Sequence, residues 1–268
     1  MSVAARPKLN LRLVVGARRA DGYHPLRSLM VELHGLEDTV TVAPAGARSL
    51  DCPGFEGTGN LAWRALDELE AEVGRPLPVA VSIVKRIPAQ AGLGGGSSDA
   101  AATLVATDRA LGLGLGHERL EAVAARVGSD APFFVRGGAQ WARGRGELLS
   151  PATVPPFAAV LVKPQVGLST AAVYGEFDRL PPPPPDDGSE APGEVEAMLP
   201  WLRNDLWPPA RALAPGLDAA AGALRAAGAR AVLLCGSGSC LAGIVRDRAE
   251  GEAVAARLPA AIGVVTGG

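Results

Sequence analysis

The 268-residue chain is poor in aromatic side chains, which make up 4% of it, with only two tyrosines. Its core must therefore be built from Ala, Val and Leu, and the hydrophobic fraction of 48% supplies them. An excess of charge is also missing. The 26 basic and 28 acidic residues leave a formal net charge of −2, so no bulk basic character points to nucleic acid, and no such partner is expected. Cysteines are few: Cys52, Cys235 and Cys240. An odd number without Cys-x-x-Cys spacing argues against a disulfide framework and against a structural zinc site. No apolar run reaches membrane-spanning length, and the opening "MSVAARPKLNLRLVVG" is broken by charge every few positions. Neither a signal peptide nor a membrane partner is expected, and a soluble cytoplasmic protein follows. Lysine is scarce as well, with Lys8, Lys85 and Lys163 alone among the 26 basic residues. Lysine and arginine are not interchangeable, so each lysine becomes a candidate for a specific role, Lys8 first.

What is present alternates and then turns helical. "KLNLRLVV" sets Leu9, Leu11 and Leu13 on one face of a strand and Lys8, Asn10 and Arg12 on a polar face. The loop "GARRADGYH" comes next, and "LRSLMVELH" and "DTVTVA" read as further strands of an antiparallel start. Asn60 caps a helix whose face is Ala62, Leu66, Leu69 and Val73 and which Gly74 ends. "PVAVSIVKRIP" is another alternating strand. A helix from about Ser98 to Leu111 comes after it, then one around Leu120 to Val127, then a loop, "SDAPFFVRGGAQWARGRGE", leading into a strand. Prolines between Pro151 and Pro156 suggest a boundary, giving regions 1–150 and 151–268. "LPPPPPDDGSEAPGE" reads as an exposed polyproline II or mobile segment, a surface insertion without function. The tail gives a helix near Leu217 to Ala227, strands "AVLLC" and "LAGIV" around the turn "GSGSC", and a last helix over roughly Arg248 to Leu258. Mixed strands and helices in two halves suggest two α+β domains.

"AGLGGGSSDAA", Ala91 to Ala101, puts four glycines and two serines at the mouth of a helix. A helix N-terminus offers unpaired N–H groups and a partial positive charge. Glycine ahead of it lets backbone come close to a ligand. The stretch Gly92, Leu93, Gly94, Gly95, Gly96, Ser97 and Ser98 therefore suits a phosphate cradle, although a tight turn without a ligand has the same look. It is neither a P-loop, lacking Gly-Lys-Ser/Thr, nor a full G-x-G-x-x-G, since Ser97 stands where the last glycine belongs. A Gly95→Val change is expected to abolish binding of the ligand's phosphates with the fold largely kept. "CGSGSC", Cys235 to Cys240, is a second glycine turn. Gly236 and Gly238 there let the turn approach either the first loop or substrate phosphates.

With the early "PKLNL", these two glycine segments resemble, in this order, the GHMP kinase family of galactokinase, homoserine, mevalonate and phosphomevalonate kinases. "RADGYH", "GSDAPFF", "GRGE" and "RND" narrow the resemblance, from about Pro7 to Val245, to the branch that phosphorylates a cytidine-diphosphate-linked methylerythritol in the non-mevalonate route to isoprenoids. Two departures stand out, Cys235 where the family usually has Ser, and the polyproline insertion. The resemblance implies a two-domain α+β fold, with an N-terminal domain like the second domain of ribosomal protein S5 and a ferredoxin-like C-terminal one. It implies ATP and Mg²⁺, with the γ-phosphoryl passing to the substrate's 2-hydroxyl. It makes Asp130 the base and Lys8 its cationic partner. It sets Tyr23 and Tyr174 on either side of the cytosine ring, with His24 bonding the base edge. Asn10, Thr170, Asn204 and Asp205 are implied as substrate-side residues, and Gly236 and Gly238 join them. Ser98 is a direct or water-mediated Mg²⁺ ligand on this view; the metal's full set of ligands stays open.

Each of these residues has an ordinary alternative. Lys8 by itself is a solvated strand end, Asp130 an N-cap before Pro132, His24 a surface-loop histidine, and Thr170 and Asn204-Asp205 turn or capping residues. Other functions also compete: a mevalonate or homoserine kinase of the same family, a dinucleotide-binding oxidoreductase on a parallel sheet, or an ATP-binding module indifferent to Asp130→Ala.

Overall fold

Alternating strands and capped helices set the element order of this computed structural model, which describes residues 1–268. Strands β1 (Ser2–Ala5), β2 (Lys8–Val15), β3 (Leu26–Glu32), β4 (Asp38–Pro44) and β5 (Ser49–Asp51) come first. Helix α1 (Leu61–Val73) and strand β6 (Val79–Val84) lead to the glycine segment and α2 (Gly95–Leu111). Then come α3 (Gly116–Val127), α4 (Ala131–Arg136), β7 (Ala139–Gly144), β8 (Leu148–Pro151) and β9 (Phe157–Val162). The rest is α5 (Thr170–Phe177), α6 (Val195–Met198), β10 (Arg203–Asn204), α7 (Trp207–Leu213), α8 (Gly216–Ala226), β11 (Ala231–Leu234), β12 (Leu241–Val245), α9 (Arg248–Ala255) and β13 (Ala261–Gly267). No helix is long and apolar enough to cross a membrane.

The chain divides into two units. The first joins Met1–Pro7, Glu37–Ala89 and Gly94–Gly137. Its sheet runs β1-β4-β6-β5, antiparallel except where β5 lies beside β6. Burial alternates along β4 and β6, so Val40, Val42, Val79, Val81 and Ile83 form one apolar face. That face packs on Ala62 and Leu66 of α1 and on Ala102 and Ala106 of α2. A second cluster joins Leu69 of α1, Leu104 of α2, and Leu120, Val123 and Val127 of α3. Helix α2 belongs to both clusters, and its alanines permit that close approach. Helix α1 is delimited as the sequence requires: Asn60 Oδ1 accepts the Ala62 N–H at 2.9 Å, and Gly74, at φ +68°, donates its N–H to Glu70 O.

The second unit joins Lys8–Leu36, Gln90–Leu93 and Gly138–Gly268. It holds two sheets. In one, β2-β3-β7-β8 are antiparallel neighbours and β10 lies parallel on β2. In the other, β11-β12-β9-β13 are antiparallel throughout. Val160, Val162, Leu241 and Val245 of the second sheet pack with Leu217, Ala221 and Leu224 of α8, Val254 of α9, and Leu13 and Val15 of β2.

Several expectations are corrected here. Strand β2 has no solvated polar face; all eight of its residues are buried, and the register against β3 shifts after Asn10. The residues after Asp130 form helix α4 before the strand, with Pro132 in the first turn, where its missing N–H costs nothing. Strands β1 and β13 lie outside the elements read from the sequence. The segment after the prolines has no regular structure, but it is anchored. Arg12 bonds Asp186 and Asp187, Arg27 bonds Asp186 and Glu190, and the Trp141 and Trp201 N–H groups bond Glu190 and Ser189. Burial favours a neutral Asp186, but hydrogen bonds and charge from Arg12 and Arg27 outweigh it, and the carboxyl sits below its ordinary range. The only parallel strand pairs are β5–β6 and β10–β2, so the doubly wound parallel sheet of a dinucleotide-binding oxidoreductase is not this fold.

Candidate active site

The first glycine segment turns through Gly92 and Gly94, at φ +72° and +74°, and Gly94 is the N-cap of α2. The helix begins at Gly95, three residues before the expected Ser98, so Gly95, Gly96 and Ser97 lie inside its first turn. Their N–H groups have no carbonyl one turn back, while Ser98 N–H bonds Gly94 O at 2.9 Å. This is the arrangement that binds phosphate: free amide donors and the positive end of a helix dipole. Gly96 is exposed, and a Cβ there would meet only Leu61 Cδ1, at 3.6 Å. Ser97 is half-buried and Ser98 buried. A Cβ on Gly95 would come within 2.9 Å of Ile87 Cγ2, so Gly95→Val disturbs packing and is not the neutral probe it looked from sequence.

Behind that turn lies a charge cluster with no contiguous motif to mark it in the sequence. Lys85 Nζ donates to Asp99 Oδ2 at 2.5 Å and to Asp38, which also accepts the N–H groups of Arg86 and Ile87. Asp38 and Asp99 are buried, and Asp99 Oδ1 has no hydrogen-bond partner. Burial raises the Asp99 carboxyl to about 7; Asp38 adds to the rise and Lys85 only partly offsets it. Burial works against the Lys85 charge too, but its two carboxylates more than compensate and its pKa is raised. The scarcity of lysine was the available signal, since it marks Lys85 as much as Lys8.

The second glycine turn closes the β11–β12 hairpin, with Cys235 N–H to Cys240 O at 2.9 Å and Gly238 N–H to Cys235 O at 2.7 Å. Residues 90–92 run against it. Ser239 and Cys240 donate N–H bonds to Gln90 O and Ala91 O, both at 3.3 Å. A Cβ on Gly92 would overlap Cys235 O at 1.8 Å. Of the two options read from sequence, the approach of the second turn to the start of the first loop is present in the structure. Asn204 Nδ2 donates to both Leu234 O and Gly236 O at 2.8 Å, and Asp205 Oδ2 accepts the Val15 N–H at 2.9 Å. Both side chains therefore hold the protein's own backbone. The Cys240 thiol, hydrogen-bonded to Cys235 and buried, is pushed well above its ordinary value and stays protonated.

Lys8 joins this cluster. Its N–H bonds Leu93 O at 2.9 Å, its Nζ donates to Asn10 Oδ1 at 2.5 Å, and a Cβ on Gly236 would lie 3.1 Å from that Nζ. Asn10 Nδ2 donates onward to Ser28 Oγ at 2.8 Å. Lys8 is thus a buried ammonium beside the glycine turn, and the solvated strand end is excluded. His24 is buried as well, against the alternative of a surface-loop histidine. Tyr23 is exposed with the Arg145 guanidinium 4.7 Å from its ring, and Tyr174 packs 5.3 Å from the His24 ring. Thr170 opens α5, and its Oγ1 lies 2.9 Å from Ser237 Oγ. Asp130 stands at the N-cap position of α4 without capping it through its side chain.

Family comparison agrees with this arrangement. The model described as "GHMP kinases N terminal domain" matches residues 60–138, which hold the glycine-rich mouth of α2 and Asp130. "GHMP kinases C terminal" matches residues 190–263, which hold Asn204, Asp205 and the second glycine turn. The chain belongs to the GHMP kinase family; it is an α+β, ATP-using small-molecule kinase. Within the family it is 41% identical to the 4-diphosphocytidyl-2-C-methyl-D-erythritol kinase of Rhodococcus jostii, over 97% of this chain and 88% of that protein. It is 44% identical to the kinase of the same name from Anaeromyxobacter dehalogenans, over 94% of this chain and 83% of that one. A crystal structure of 4-(cytidine 5'-diphospho)-2C-methyl-D-erythritol kinase superposes with a TM-score of 0.82 at 36% identity, covering 100% of both chains. Lys8, Asn10, Tyr23, His24, Thr170 and Tyr174 lie outside both family models but inside the structural match, which covers 100% of this chain.

Proposed function

We propose that the chain transfers the γ-phosphoryl group of ATP to the 2-hydroxyl of 4-diphosphocytidyl-2-C-methyl-D-erythritol, giving the 2-phosphate and ADP in the non-mevalonate route to isoprenoids. The observation that carries this reading is the 41% identity, across nearly the whole chain, with a kinase named for that substrate. The reading takes the cytoplasm as the place of reaction and assigns kinase regions to residues 1–150 and 151–268.

Phosphoryl transfer is mostly positioning and charge stabilisation. The N–H groups of Gly95, Gly96 and Ser97 receive the phosphates. Asp130 orients the substrate hydroxyl and accepts its proton as the new O–P bond forms and the bond to the leaving ADP breaks. Lys8, held by Asn10, stabilises the charge that develops. A Mg²⁺ ion would be held by the nucleotide's phosphates together with a serine hydroxyl at the mouth of α2. Ser97, half-buried, is better exposed for it than the buried Ser98. When bound, the ion neutralises phosphate charge. Tyr23 and Tyr174 supply faces for the cytosine, and Asn204 and Asp205 contribute by holding the second glycine turn and the end of β2.

The test is ADP release with Mg-ATP and 4-diphosphocytidyl-2-C-methyl-D-erythritol, beside mevalonate and homoserine. Turnover with the cytidyl compound alone is expected, with Asp130→Ala losing about 10²–10⁴-fold in kcat. Turnover with mevalonate or homoserine instead overturns the substrate assignment. An undiminished rate in Asp130→Ala removes the base.

A further inference from the structure

Helix α5 is short, yet it carries three side chains at intervals of four residues. Thr170 is at its start, Tyr174 in its middle and Asp178 at its C-cap, with Asp178 still in helical conformation and its N–H bonded to Tyr174 O. That spacing stacks the three on one face, one turn above another. Each engages a different piece of the second unit. Thr170 Oγ1 meets Ser237 Oγ of the second glycine turn at 2.9 Å. The Tyr174 ring tilts against His24 at 5.3 Å. Asp178 Oδ1 lies 3.2 Å from His24 Nε2.

His24 is gripped from both ends. Its Nδ1 lies 2.9 Å from Gly16 O, and Gly16 N–H in turn bonds Pro25 O at 2.8 Å, closing the neck of the β2–β3 loop. Phe177 packs edge-on to the ring at 5.4 Å and fixes its plane. A flip of the ring would put carbon atoms against both acceptors. The outer oxygen, Asp178 Oδ2, faces the exposed Arg18 guanidinium at 3.5 Å. The imidazole, only 5% exposed, is thus the joint between α5 and the loop that carries Tyr23.

We propose that Asp178 is a positioning residue for pyrimidine recognition: by holding His24 Nε2 it locks the Tyr23–His24 loop onto the helix that presents Tyr174, and so sets how the two tyrosines meet the base. This rests on the cytidyl-substrate reading above. It implies that the His24 ring is committed to the protein and that its value to the substrate is its placement.

The experiment compares wild type, Asp178→Asn and Asp178→Ala in two ways. Steady-state kinetics give KM for the cytidyl substrate, KM for ATP, and kcat. A ¹⁵N spectrum of the histidine rings in substrate-free protein shows whether the surroundings of the His24 ring nitrogens change. Loss of a close contact with a partly exposed carboxyl group predicts that Asp178→Ala raises the cytidyl KM about fivefold, with kcat and the ATP KM within about twofold. Asp178→Asn, which keeps the side chain's shape and its contact with the ring, recovers part of the loss. The His24 ring signals of Asp178→Ala differ from those of wild type. A cytidyl KM unchanged in Asp178→Ala overturns the proposal, as does a fall in kcat with both KM values raised together, which marks a merely structural role. A wild-type protein that neither turns over the cytidyl compound nor binds CDP overturns the functional reading, and the pyrimidine role of Asp178 with it, whatever the ring spectrum shows.

Discussion

The two glycine-rich segments look alike in sequence and are opposites in structure. Around "CGSGSC" every residue is buried, the hairpin closes on itself, and Asn204 takes up two of its carbonyls. Around "GLGGGSS" the chain enters a helix, and three successive N–H groups have no partner within it. Glycine serves close packing in the first case and leaves an open helix start in the second. Composition does not separate the two; the element that each glycine run leads into does. A hairpin pairs its own backbone, and a helix start cannot.

The sharpest test of that contrast lies where the two segments touch. Gly92 belongs to the loop but sits against the second turn, at φ +72° and with no room for a Cβ beside Cys235 O. Gly92→Ala therefore combines backbone strain of about 1–3 kcal/mol with a backbone overlap that only displacement relieves. A total loss beyond about 4 kcal/mol is expected in urea unfolding, enough to leave little folded protein. Gly96→Ala, in the same loop but facing open space, is expected to stay within about 1 kcal/mol of wild type. Equal losses in the two variants would mean that the loop's glycines do one job and that the comparison is false.

A second test concerns the support beneath the mouth of α2. Asp99 is held near 7 in the folded protein against an ordinary 3.8, chiefly by burial. Between those values the native state keeps a proton that the unfolded chain releases, so stability from this group is full below about 3.8 and is lost as pH rises toward 7. Each pH unit in that window is worth up to about 1.4 kcal/mol. Asp99→Asn removes the group while Asp38 and Lys85 continue to face the site. The unfolding free energy of wild type minus that of Asp99→Asn should therefore fall by a few kcal/mol between about pH 4 and pH 7. A flat difference, or one that rises, would place an ionised Asp99 in the fold over the whole window.

Much of the frame was legible because local rules and tertiary packing agree. Helix α1 shows its Asn60 cap, its apolar face and its Gly74 stop, and β4 and β6 alternate as half-buried strands must. The misreadings share a cause. Gly95, Gly96 and Pro132 are helix breakers by propensity, yet each sits in a first turn, where neither the missing N–H of proline nor the flexibility of glycine is penalised as it is mid-helix. The candidate site was visible in the sequence wherever its residues formed a contiguous motif. The pairs Lys85–Asp38 and His24–Asp178 were not, because each joins residues far apart in sequence that only the folded chain brings together. The anchoring of the acidic stretch after the prolines was hidden for the same reason, since its partners Arg12 and Arg27 lie far upstream.

The smallest expected effect is the most specific. Gly96→Val adds a branched side chain at the exposed mouth of α2, with Leu61 Cδ1 the only neighbour near its Cβ. Nothing in the fold resists it, so the urea midpoint should stay within error of wild type. If the N–H groups of that turn receive ATP phosphates, the side chain stands where they approach, and the ATP KM should rise about tenfold, equal to about 1.4 kcal/mol. The cytidyl-substrate KM should move far less, because the residues assigned to the base, Tyr23 and Tyr174, are carried by the β2–β3 loop and α5. An unchanged ATP KM would show that the open glycine segment is as structural as the buried one. A rise confined to ATP would show that an unpaired helix start, and not glycine content, distinguishes the two.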